Sequence, residues 1–100
     1  MKIIIKNEEF KSKKLVGKLY ELYLEISEKI DKYQKDNGVG WEKTSLKYAR
    51  EFLVEYFDNK FTEEDLNEEV EVSTIITYFL LIDKQIQDEV TAKLEKIAKN

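Results

Sequence analysis

The chain contains no cysteine, no histidine and no proline. Without cysteine there is no disulfide framework, no thiolate nucleophile and no zinc ribbon. Without histidine the commonest general base and the commonest transition-metal ligand are both missing. Without proline there is no ring-induced kink and no polyproline segment. Arg50 is the single arginine, so bidentate clamps on phosphate or carboxylate lack their usual residue. The three glycines, Gly17, Gly38 and Gly40, form no phosphate-binding loop. The longest apolar run, Tyr78 to Ile82, falls far short of the roughly 20 residues of a bilayer span. The start, Met1-Lys2-Ile3-Ile4-Ile5-Lys6, has no apolar stretch long enough for a signal peptide. These absences lead us to expect a soluble, cytoplasmic protein with no membrane partner, no catalytic residues, no cofactor and no metal ligands.

What is present is charge and apolar periodicity. The 100 residues fit a single domain, 1–100, large enough for one modest core but not for a large enclosed active site. Charged residues make up 38% and hydrophobic ones 42%, and the charges alternate in sign along periodic segments, as on exposed helix faces. The formal net charge of −4 argues against a nucleic-acid partner, which needs a basic field. Lys11, Lys13, Lys14 and Lys18 still make a local basic patch.

Along the chain, Lys2 to Lys6 is β-branched and short, Asn7-Glu8 reads as a turn, and Glu9 to Ser12 as a second strand or extended arm. A lone hairpin is marginal, so residues 1–12 must lay Ile3, Ile5 or Phe10 on the helices or join a neighbour's sheet. Residues 13–100 read as a helical bundle. A long helix is expected from about Lys13 to Asp36, with Ser12 as its N-cap and Asn37-Gly38 as its stop. Its stripe is Leu19, Tyr23, Ile26, Ile30 and Tyr33, flanked by Val16, Tyr20 and Leu24. A middle helix is expected from Glu42 or Thr44 to Phe57, with Leu46, Ala49, Leu53 and Tyr56 inward. Asp58-Asn59 then stops the chain, and Thr62 caps a short connecting helix whose Glu63, Glu64 and Asp65 offset the helix dipole. Phe61 is placed to staple onto Leu66. Val70 to Val72 reads as extended or irregular. Ser73 is expected to cap a last helix, Thr74 to Ala98, with Ile75, Phe79, Ile82, Ile86, Val90, Leu94 and Ile97 in register. The segment Ile75 to Ile82 is apolar almost all round, which predicts burial on several sides. The fold class is mainly α: a small bundle of two long helices, a middle helix and a short connecting helix, with an N-terminal β-hairpin.

Each candidate site has a plainer reading beside it. The acidic run Glu63 to Glu71 lacks the spacing of a calcium loop and reads as dipole compensation on a solvated face. The loop Gly38-Val39-Gly40-Trp41 reads as a helix connection whose Trp covers the core, although an exposed Trp would anchor an interface. Six Tyr and five Phe at helical spacing in an acidic chain read as core and interface, not as stacking platforms for single strands. The surplus apolar surface is either one intramolecular core or a surface for self-association or a partner helix.

The order of these features resembles the tail assembly chaperones of long-tailed phages of Gram-positive hosts. The resemblance rests on the short β start Met1 to Ile5, the early aromatic Phe10 and the long amphipathic helix. It also rests on the cluster Tyr56-Phe57-Asp58-Asn59-Lys60-Phe61-Thr62-Glu63-Glu64-Asp65-Leu66 and spans most of the chain. The Lys-rich character of that first helix and the Gly38 to Trp41 loop have no counterpart in that pattern. The resemblance implies a non-enzymatic protein that binds the tape-measure protein, keeps its apolar helices soluble and promotes assembly of tail-tube subunits around it. It carries over no binding residues. From apolar spacing alone, Leu19, Tyr20, Tyr23 and Trp41 are the candidate client surface, and Phe79 and Leu80 a candidate subunit contact in a homo-oligomer. The alternative is a small helical interaction or regulatory module acting as a homodimer.

Overall fold

Two neighbouring residues with left-handed backbone open the structure: Lys6 (φ 53°) and Asn7 (φ 64°). Positive φ at both centres of a two-residue loop is the type I′ turn, whose twist matches that of paired strands. It joins β1 (Lys2–Ile5) to β2 (Glu8–Lys11), antiparallel, with Ile3 opposite Phe10 and Ile5 opposite Glu8. The turn therefore falls one residue before the expected Asn7-Glu8, because Asn tolerates the left-handed conformation at the second turn position. Side chains alternate along a strand, so Ile3 and Ile5 go into the core while Ile4 points away.

The computed structural model describes residues 1–38 and 40–98, with residues 95–98 as backbone only. Four helices follow the hairpin: α1 (Gly17–Asn37), α2 (Lys43–Tyr56), α3 (Glu63–Glu69) and α4 (Val72–Ala98). The expected class, a small mainly helical bundle with an N-terminal hairpin, is the observed one.

Helix α1 begins later than its sequence suggests. Ser12 is occupied in closing the hairpin: its N–H donates to the Met1 carbonyl at 2.9 Å, and the Met1 ammonium donates to its hydroxyl at 2.9 Å. The next N–H, of Lys13, donates to the Tyr56 carbonyl at 3.0 Å. The chain stays non-helical until Gly17, and Val16 stands at the N-cap without a side-chain hydrogen bond. At the other end Gly38 (φ 65°) takes the left-handed stop, its N–H donating to the Gln34 carbonyl.

Helix α2 is capped by Glu42, whose carboxylate accepts from the Thr44 N–H at 2.8 Å. It ends at Tyr56, and the chain turns away through left-handed Asp58 (φ 60°) and Asn59 (φ 57°). Thr62 then caps α3 through a reciprocal box: its hydroxyl accepts from the Asp65 N–H at 3.1 Å, and the Asp65 carboxylate accepts from the Thr62 N–H at 3.0 Å. Ser73, expected as the cap of α4, lies inside that helix, its carbonyl accepting from the Thr77 hydroxyl at 2.7 Å. The Glu71 carbonyl takes the first N–H groups, those of Thr74 and Ile75.

The core runs between these elements. Helix α2 is its centre, supplying Ala49, Phe52, Leu53 and Tyr56. Leu19, Tyr23, Ile26 and Ile30 face it from α1, and Ile75, Phe79, Ile82 and Ile86 from α4. Phe57, Phe61 and Leu66 close the end below the hairpin, with Phe10 edge-on to Phe61 at 5.1 Å between ring centroids. Helix α4 differs from expectation. Among the described residues its buried face is Ile75–Phe79–Ile82–Ile86, while Leu80 (49%) and Leu81 (50%) are exposed, with no described residue covering that side. Val90 is partly buried, Leu94 is exposed, and the Ile97 side chain lies outside the described residues. The shortest dimension is 20 Å, about two helix diameters, so every helix has an outer face.

The hairpin is fastened to α4 by one phenol. The Tyr78 hydroxyl accepts from the Ile4 N–H at 3.5 Å and donates to the Ile4 carbonyl at 3.3 Å.

Candidate interaction groove

A concavity of about 810 Å³ lies between α1 and α2. It forms because the helices run antiparallel: the first turns of α1 lie beside the last turns of α2, and Lys29 further along α1 sits 5.6 Å over the Tyr48 ring near the middle of α2. The short connection between the helices favours that arrangement. Leu19 and Ile26 are the buried floor, and Val16, Leu22 and Val54 rise from it toward solvent. Val16 is 51% exposed, a consequence of its position at an uncapped helix start.

The rim is acidic. Glu21 and Glu25 line it from α1, Glu51 and Glu55 from α2, and Glu63 from the start of α3. Lys13 and Lys18 are the basic residues there. Lys13 is also drawn to Asp58 at 3.8 Å, and Glu25 to Lys29 at 3.8 Å. Among the described residues, Glu21, Glu51, Glu55 and Glu63 form no ion pair.

The residues expected to bind partners fall in different places. Leu19 is at the groove floor. Tyr23 is buried, tilted against Phe52 at 5.8 Å, and half-buried Tyr20 stacks on it at 6.0 Å. Trp41 is partly buried, with its ring edge-on to Phe79 at 5.7 Å, and Phe79 is itself core against Phe52. Leu80 is exposed on the far side of α4. The groove therefore brings together Leu19 with Leu22, Val54 and the two α2 carboxylates, which spacing on α1 alone did not single out.

The groups with shifted acidities lie outside the groove and have structural causes. Burial, followed by the Asp83 carboxylate beside it, raises the Tyr23 phenol above its ordinary value. Burial raises Tyr56. The Thr44 N–H lowers Glu42, and the Thr62 N–H lowers Asp65. The Asp88 carboxylate raises Lys84. Among the described residues no cluster of acidic side chains is placed to hold a metal ion, and no helix is long and apolar enough to cross a membrane. An open apolar trough with charged walls is suited to holding another polypeptide by surface complementarity.

A family model described as phage tail chaperone protein matches residues 1–100. No curated protein and no solved structure matches the chain.

Proposed function

The chain belongs to the phage tail chaperone family, and on that premise we propose that it binds the tape-measure protein of its phage, keeps that protein soluble and promotes assembly of the tail tube around it. The tail-tube protein is its second partner. The role is non-enzymatic and is carried out in the host cytoplasm before the tail is complete.

The observation that carries this reading is the open α1–α2 groove. Val16, Leu22 and Val54 present apolar surface beside the core without being enclosed by it. A holdase needs such surface, because its client's apolar faces must be shielded from each other without being permanently buried. Leu80 and Leu81 on the far side of α4 provide a separate patch, which we assign to contact between copies of the chaperone. Two separate surfaces suit a chaperone that must hold a long client with many copies of itself.

The test is co-expression with the tape-measure protein encoded by the same phage, reading the soluble and co-purifying fraction of that protein. A large rise in soluble complex supports the proposal. If the tape-measure protein stays insoluble while the chain is folded and alone, the proposal fails.

A further inference from the structure

The charge around the groove is more specific than a general holdase requires. Five carboxylates against two ammonium groups give its lining a net charge of −3, within a chain whose whole formal net charge is −4. The rest of the molecule is close to neutral, so the acidity is concentrated where the apolar surface is open. The carboxylates stand on both walls, Glu21 and Glu25 on α1 and Glu51 and Glu55 on α2, with the apolar residues between them.

We infer that the groove takes an amphipathic helix of a partner protein whose apolar stripe is flanked on both sides by Lys or Arg. The stripe sits on Val16, Leu22 and Val54 over the floor made by Leu19 and Ile26. The flanking cations meet Glu21 on one wall and Glu51 and Glu55 on the other. The α1 wall from Val16 to Ile26 is about 15 Å long at about 1.5 Å per residue, which accommodates about three turns of a docked helix. An acidic or neutral helix would leave the carboxylates facing like charge or desolvated without a partner, and both disfavour binding. The groove therefore selects among apolar helices by the sign of their flanks. The inference rests on the chaperone reading only for the identity of the protein that owns the helix.

The probes are synthetic fifteen-residue helices with one leucine stripe, flanked by Lys and Arg in one peptide and by Glu in the other. Binding to the full chain is measured by fluorescence anisotropy at low and at physiological salt, and mapped by amide chemical shifts. The basic peptide is expected to bind at least tenfold more tightly than the acidic one and to weaken with salt. Its shifts should be confined to α1 between Val16 and Ile26 and α2 between Glu51 and Glu55. The double variant E21K/E55K should lose that preference while keeping its circular dichroism and melting temperature. V16D removes apolar surface at a position where Asp makes a good helix cap, and should weaken both peptides without loss of fold.

Equal binding of the two peptides, or shifts centred on Leu80 and Leu81, would overturn the inference. So would groove shifts that appear on concentrating the chain alone, since a second copy would then be the occupant. Co-expression of the tape-measure protein with E21K/E55K separates this idea from the chaperone reading. If wild type and variant solubilise the client equally, the groove assignment fails and the chaperone role stands. If neither solubilises it while the basic peptide binds in the groove, the client identity fails and the groove assignment stands.

Discussion

The Tyr23 hydroxyl donates to the Asp83 carboxylate, joining the first half of α1 to the middle of α4. Gln87, one turn further along α4, donates to both of them at 3.3 Å. The clasp lies at the edge of the core, beside the ring contact of Tyr23 with Phe52. It is the polar complement to an apolar packing that by itself allows sliding.

Tyr23→Phe keeps the ring and removes the clasp. The expected cost is about 1.5–3 kcal/mol, as for a hydrogen bond to a charged acceptor, read from urea unfolding at pH 7. The pH dependence has a definite sign. The folded phenol titrates above its unfolded value, so its contribution is fully present below the unfolded value of about 10 and is lost as pH rises through the folded value. The gap between wild type and Tyr23→Phe should therefore shrink in alkaline buffer.

Thr62→Ala removes half of the α3 capping box and should cost about 1 kcal/mol. The Asp65 carboxyl is held below its ordinary range by the Thr62 N–H. Its contribution is present above the unfolded value of about 4 and fades as pH falls through the lowered folded value. Asp65→Asn should flatten the acid limb of the stability curve relative to wild type, as measured by thermal melts between neutral and strongly acid pH.

Two glycines should respond to alanine with opposite signs. A Cβ at either Gly17 or Gly38 would meet nothing within 4 Å, so only backbone preference matters. Gly38 has φ 65°, and Gly38→Ala should cost about 1 kcal/mol. Gly38→Asn should cost less, because Asn tolerates the left-handed region. Gly17 is in the first turn of α1, and Gly17→Ala should stabilise by about 0.4–1 kcal/mol. Denaturant midpoints of the three variants provide the check.

Phe52 is fully buried, and its ring lies 5.8 Å from that of Tyr23, 5.4 Å from that of Tyr56 and 6.1 Å from that of Phe79. Phe52→Ala should cost about 3–5 kcal/mol, a large share of the roughly 5–15 kcal/mol typical of a domain. Loss of the cooperative melt by circular dichroism is the expected outcome.

Leu80→Lys and Leu81→Lys should change stability by less than about 0.5 kcal/mol, since both side chains are half exposed. If that patch joins copies of the chaperone, the same substitutions reduce its sedimentation coefficient. An unchanged coefficient would remove the patch from the assembly.

Local chemistry was legible in the sequence where neighbours alone decide the outcome. The Thr62 cap, the Asp58-Asn59 stop, the Gly38 cap and the inward stripe of Leu19, Tyr23, Ile26 and Ile30 all depend on residues within a few positions. The start of α1 was not, because Ser12 is bound by Met1 and Lys13 by Tyr56, partners far away in the chain. Nor was the exposure of Leu80 and Leu81, since apolar character on a helix does not say how many neighbours the fold supplies to cover it. The groove combined both cases. Val16 and Leu19 stood out on α1, but Val54 and Glu55 gain meaning only once the α2 face beside α1 is known.

The Tyr78 phenol has a consequence beyond fastening the hairpin. Bare strand margins invite other chains to add on as further strands, a hazard for any protein that carries a short two-stranded ribbon. Tyr78 plugs the outer margin of β1 at Ile4, and Glu8, Glu9 and Lys11 keep the β2 margin heavily charged. Both margins of the short ribbon are thus guarded against an incoming strand.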